Sequence, residues 1–272
     1  MKRFLGAMLV LLGIIVTAAA CGGDDETASA RTLEAPSAAI TVDGDPSDWD
    51  GIDGLGVMLH PIQGEEEKAA SKKSSVKVAH DDEYVYVLFE VEDDYNWNAD
   101  DSHLSAASAV MWNVDPEAGP HMGADDPSGE PGLGVVDIWH WELECASGDE
   151  MGGSVSDPGE GENPGNDGSC NFDDENSSSP HAREDDNGEG AENSLLGVWS
   201  HTDATADAEG TWVFEARRPL QTGDKGDGQL AVGETAQLAL AYWDPDNAPH
   251  GWSDDEHAQS SNEGWIEVTF AE

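Results

Sequence analysis

The sequence is divided into short runs of β-branched and aromatic residues, each closed by an Asp- or Gly-rich stretch, and this rhythm leaves little room for anything but strands. Two runs carry the pattern most clearly: Ser75-Val76-Lys77-Val78-Ala79 and Tyr84-Val85-Tyr86-Val87-Leu88-Phe89-Glu90-Val91. Further runs span residues 39–42, 107–112, 135–144, 195–200, 210–217, 236–243 and 264–270. No long stretch repeats its apolar residues at a helical interval. Many short strands with turn signals between them predict an all-β fold: an immunoglobulin-like or jelly-roll antiparallel β-sandwich closed by a C-terminal strand.

One region breaks the rhythm. Residues 146–193 are almost without large apolar side chains and are dense in Gly, Asp, Glu, Asn, Ser and Pro, so they cannot bury enough surface to fold alone. They predict a long, disordered acidic loop inserted between two strands of the sandwich. Cys145 and Cys170 bracket part of it, and in an oxidising compartment a disulfide is the favoured reading. Neither cysteine belongs to a Cys-x-x-Cys-His motif, and neither has the near partner that a zinc site requires.

The N-terminus predicts that compartment. Lys2 and Arg3 precede an apolar stretch over residues 4–16, too short for a membrane span, and small residues then lead to Cys21. Residues 1–20 read as a lipoprotein signal with Cys21 as the lipid-bearing residue; ordinary secretion is the alternative. Residues 21–37 read as a flexible acidic linker and residues 38–272 as one domain, held outside the cytoplasm on a membrane by its lipid. The chain carries 58 acidic and 11 basic residues, a net charge of −47, which opposes binding to nucleic acid or to an anionic membrane surface. Acids spread along the whole length resemble the proteins of salt-loving organisms; a calcium-loaded surface is the weaker alternative, because no Asp-x-Asp-x-Asp-Gly loop of the required length is present.

Three blocks point to a family. Ile40-Thr41-Val42-Asp43-Gly44-Asp45-Pro46-Ser47-Asp48-Trp49 is a strand-like run, a tight turn and a tryptophan returning to the core. It resembles the opening of family 9 carbohydrate-binding modules and of their haem-binding relatives. His121-Met122-Gly123, followed by Val136-Asp137-Ile138-Trp139-His140-Trp141, resembles the Met-Gly and Asp-Ile-Trp-x-Trp segments of the haem-binding subunit of ethylbenzene dehydrogenase. Arg218-Pro219-Leu220-Gln221-Thr222-Gly223-Asp224 is similar to the Arg-Pro-Leu-x-Thr-Gly-Asp signature of the same family, and Ala241-Tyr242-Trp243-Asp244 to its Ala-x-Trp-Asp strand. The resemblance runs in order from Ile40 to Phe270.

It implies a non-covalent haem b and electron transfer. Met122 would supply one axial ligand, its thioether favouring ferrous iron. The family's second ligand is commonly a lysine after the Ala-x-Trp-Asp strand, but residues 244–263 contain no lysine, which leaves His257, or His250 as its substitute. Arg217 and Arg218 would meet the propionates, although one of them could instead pair with a nearby carboxylate. Trp139, Trp243, Trp141 and Trp252 would wall the macrocycle. The implied partners are a molybdenum oxidoreductase of the dimethylsulfoxide reductase type with its iron-sulfur subunit, or a c-type cytochrome. No Gly-x-Ser-x-Gly, His-Glu-x-x-His or phosphate-binding glycine loop suggests an enzyme. Two alternatives stand beside this reading: a carbohydrate-binding module that uses tryptophans as sugar platforms, and a relative that serves only as a structural partner.

Overall fold

The computed structural model describes residues 31–64, 66–98, 102–125, 134–142, 173–178, 182–185, 194–247, 251 and 256–272. Residues 1–20 read as a signal, Cys21, Cys145, Cys170, His250 and Trp252 lie outside the described residues. Thirteen strands are present among those described: β1 (Thr32–Ala35), β2 (Leu55–Pro61), β3 (Lys72–His80), β4 (Tyr84–Asp94), β5 (Ala107–Asn113), β6 (Val135–Glu142), β7 (Asp173–Ser178), β8 (Ala182–Asp185), β9 (Leu196–His201), β10 (Glu209–Pro219), β11 (Thr235–Trp243), β12 (His257–Gln259) and β13 (Ile266–Phe270). No α-helix occurs among the described residues.

The strands form the two layers of a sandwich. One layer runs β8-β7-β6-β5-β11, with β13 and then β1 continuing from β11. The other runs β2-β3-β4-β10-β9. Short β12 pairs with β11 on one side and with the end of β2 on the other, joining the layers at a corner. Every pairing between strands is antiparallel except β1 with β13.

The alternation of side chains explains this arrangement. β4 sends Val85, Val87, Phe89 and Val91 into the space between the layers and turns Tyr86 and Leu88 to the outside. β10 does the same with Trp212, Phe214 and Ala216 inward and Val213 outward. Facing them, β6 contributes Trp139 and Trp141, and β11 contributes Leu238, Leu240 and Tyr242. The centre is aromatic: the Trp141 ring lies 4.8 Å from Phe214 and 5.5 Å from Trp199.

Residues 39–42 are not a strand. Ile40 and Val42 lie with Trp49 across the outside of the second layer, covering Tyr86, Leu88, Val198 and Val213. Trp49 is fully buried there, and its indole N–H donates to Glu215 Oε1 at 2.7 Å. The other oxygen of that carboxylate accepts from the backbone N–H groups of Asp43 and Gly44, so the Asp-Gly turn is tied down by a charge on β10. Burial pushes the Glu215 carboxyl upward, and these three donors pull it back. The run therefore mimics a strand in sequence because a strap covering an apolar sheet face needs the same alternating apolar residues.

Further segments differ from the sequence reading, which also left out β2 and β12. Thr32–Ala35, within the stretch read as linker, is β1; Leu33 and Ala35 alternate inward and its register with β13 adds it to the first layer. Residues 173–178 and 182–185, within the stretch read as a disordered insertion, are β7 and β8, which extend the first layer from β6. Their polar composition hides them, since nothing in it alternates between apolar and polar.

Candidate functional site

Cross-strand pairing decides which side chains share the outer face of the first layer. His140 stands opposite Ala109, Ala109 opposite Ala241, Ala241 opposite Gln259, and Gln259 opposite His60. In the neighbouring row Ala107 opposes Trp243, which opposes His257. Paired residues project to one side of a pleated sheet, so both rows face outward together. The alanines at their centre leave a recess that Met122 and Trp265 help to fill. Rings close around it: His140 lies 5.3 Å from Trp243, and Trp243 lies 4.7 Å from His257.

Met122 reaches this recess from the tip of a hairpin-like loop. His121 and Ala124 exchange backbone hydrogen bonds at 3.1 and 3.0 Å. Met122 and Gly123 between them both have positive φ, 50° and 89°, as the central residues of a type I′ turn require. A Cβ on Gly123 would lie 2.5 Å from the Gly134 carbonyl oxygen. The Met-Gly pair is thus explained by turn geometry, with the methionine side chain folded onto an apolar patch.

Beside this face a cleft of about 550 Å³ opens between the loop joining β2 to β3 and the turn after β12. His60, Gln63, Glu66, Ser71 and Asn262 line it, together with Pro61 and Ala69. Its walls are held by bonds that fix both faces of their polar groups. Asn262 donates to the Pro61 carbonyl at 2.7 Å and accepts from Gln259 Nε2 at 2.9 Å; the same Gln259 nitrogen lies 3.3 Å from His121 Nδ1, linking the cleft to the ring-lined recess. His60 Nδ1 lies 3.2 Å from Ser71 Oγ, and its Nε2 lies 3.6 Å from Glu263. Arg31 clamps the turn from behind, donating to the Ser260 and Gly264 carbonyls at 2.9 and 2.8 Å. A backbone N–H of Gly64 donates to Glu66 at 3.1 Å and holds that carboxyl below its ordinary range. Sequence reasoning missed the cleft, because its lining residues follow no motif.

The residues assigned to a haem fall in three separate places. Met122, His257 and Trp243 are on the outer face of the first layer. Trp139 and Arg218 are in the interior between the layers: Trp139 packs in the central core, and Arg218, fully buried, bonds Asp137 Oδ2 at 2.5 Å and approaches Asp227 at 3.3 Å. Arg217 projects from the far side of the second layer, its guanidinium 4.5 Å from the centre of the Tyr84 ring. Trp141 is in the central core as well. No single macrocycle can touch this set, since the interior guanidinium and the outward methionine are separated by the sheet itself. His257 and Met122 also share one face instead of opposing each other across a plane. Among the described residues no group of three or more His, Cys, Asp or Glu side chains is disposed to hold a metal ion.

No protein-family model matches the sequence, and no curated protein matches it. Likeness is found among solved structures. One, a "putative carbohydrate-binding protein" from Bacteroides uniformis, shares 9% identity over 89% of this chain and 100% of its own, with a TM-score of 0.51. Another, a family 9 carbohydrate-binding module from Caldicellulosiruptor kristjanssonii in complex with cellotriose, shares 11% identity over 88% of this chain and 93% of its own, with a TM-score of 0.43. The fold of the described residues, an all-β sandwich, is shared with the Bacteroides uniformis protein. The expectation of haem b, of a haem-binding family and of electron transfer is corrected: no haem-binding family model matches, the Bacteroides uniformis structure is described as a "putative carbohydrate-binding protein", and the residues that carried the expectation are dispersed.

Proposed function

We propose that this protein binds carbohydrate, in the cleft between the β2–β3 loop and the turn after β12. The observation that carries the reading is the chemistry of the lining. His60, Gln63, Ser71, Glu66 and Asn262 offer donors and acceptors, several already oriented by a second bond, around the small apolar surfaces of Pro61 and Ala69. A sugar presents hydroxyls that both donate and accept, spaced around a ring with apolar C–H faces, and a lining of amides, imidazole and carboxylate answers that pattern. The volume suits one or two sugar units. A flat, mostly apolar cofactor would strand these polar groups. The description of the Bacteroides uniformis protein, which shares this fold, supports the same reading.

The test is calorimetric titration of the full chain with a panel of neutral oligosaccharides. Binding that weakens about three- to tenfold on replacing His60 or Asn262 with Ala is the expected result, the scale of one lost hydrogen bond. Absence of binding across the panel, or binding indifferent to both substitutions, overturns the proposal.

A further inference from the structure

The charges around the cleft are one-sided, and this bears on which sugars it accepts. Glu66 lines the cleft directly, and its carboxylate is fixed by the Gly64 N–H at 3.1 Å. Glu263 follows the lining residue Asn262 and is half-exposed at 51%, its carboxylate 3.6 Å from His60. Among the described residues, the nearby cations each have acidic or carbonyl neighbours or another partner. Arg31, only 15% exposed, directs Nη1 to the Ser260 and Gly264 carbonyls, and its Nε lies 3.7 Å from Glu263. Lys72, 13% exposed, is held between Asp93 and Asp244. Lys68 is itself partnered. Among the described residues, a ligand entering the cleft therefore meets carboxylate, imidazole and neutral groups, and no Lys or Arg lines it.

We infer that the cleft discriminates by charge, favouring sugars that carry a free amino group over uronic or sulfated sugars, with Glu66 as the specificity-determining residue; this rests on the carbohydrate reading above. An ammonium brings three donors and no acceptor, and the oxygens of Glu66, Gln63 and Ser71 are the complement it needs. An anionic sugar would lose hydration and meet the Glu66 charge in return. The carboxylate keeps its charge through the neutral range because the backbone donor favours the ionised form.

The experiment titrates the full chain with a glucosamine trimer, its N-acetylated counterpart and a galacturonate trimer, at about 0.2 M and about 2 M NaCl, the latter reducing the Debye length to a few ångströms. The expected result is glucosamine binding about three- to fivefold tighter than the N-acetylated trimer at the lower salt, the scale of an exposed ion pair. That gap closes at high salt and in Glu66→Gln. Glu92→Gln, an exposed site on β4, retains the preference, which separates a local pair from general attraction of a cation to a chain of charge −47. Galacturonate binding as tightly as the neutral trimer, or a preference that survives in Glu66→Gln, overturns the inference. If neither the N-acetylated trimer nor any other neutral sugar binds, the carbohydrate reading itself fails, a different outcome from neutral binding without amino preference.

Discussion

Replacing Arg218 with Met tests how the interior of the sandwich tolerates charge. Arg218, Asp137 and Asp227 are exposed by 0%, 0% and 2%, deep between the layers. The guanidinium donates to Asp137 Oδ2 at 2.5 Å and to the Gly228 carbonyl at 3.1 Å, and it stands 3.3 Å from Asp227. Methionine restores most of the volume but leaves two carboxyls facing each other without a counter-charge. Breaking a buried pair in this way costs about 3–5 kcal/mol, and for a domain of this size each kcal/mol lowers Tm by about 2–4 °C, so a fall on the order of 10 °C is expected. Burial already pushes the Asp227 carboxyl up to about 6 against the pull of Arg218, and pushes Asp137 upward as well. Without the guanidinium both rise further and take up protons in the folded state. The deficit is therefore larger at pH 7.5, where folding must hold them charged or bind protons, than at pH 5. Calorimetric unfolding of wild type and variant at both pH values measures it. Arg217→Met is the control: its guanidinium packs on the Tyr84 ring outside the sheet, so the loss is about 1 kcal/mol or less and independent of pH. An Arg218→Met deficit below about 1 kcal/mol, or one equal at both pH values, refutes the reasoning.

Other outcomes follow from the same structure. Trp49→Phe keeps an aromatic ring in place but removes the indole N–H that donates to buried Glu215, costing about 1–3 kcal/mol in denaturant unfolding. Gly123→Ala places a methyl 2.5 Å from the Gly134 carbonyl at a φ of 89°, and a loss of more than about 1 kcal/mol is expected by the same assay. Burial, reinforced by Asp244 and opposed by Lys72, raises the Asp93 carboxyl to about 6, as burial does for Asp227. Carboxyls raised on folding contribute stability that is complete below about pH 4, the unfolded value, and is lost as pH climbs through 6, so their share of Tm declines across that window. Added NaCl raises Tm, because screening weakens the self-repulsion of a chain of net charge −47.

By itself the sequence determined the class of fold. Val85, Val87, Phe89 and Val91, or Leu238, Leu240 and Tyr242, alternate with outward residues so regularly that only a strand buries them all, and β3, β4, β5, β6, β9, β10, β11 and β13 are legible for that reason. What it could not determine is which face a side chain serves. The same Trp-rich pattern describes Trp139, inside the sandwich, and Trp243, outside it; the same apolar run describes a strand and the strap of residues 39–42. β1, β7, β8 and β12 escaped because they are short or polar and are strands only by virtue of the neighbours they pair with, and β2 escaped because Gly56, exposed Met58 and Pro61 interrupt its alternation. The cleft escaped altogether, since it exists only where Asn262 reaches the carbonyl of Pro61, 201 residues away. Local alternation is a property of consecutive residues and can be read from them. A binding site is a convergence of distant ones, and tertiary pairing decides it.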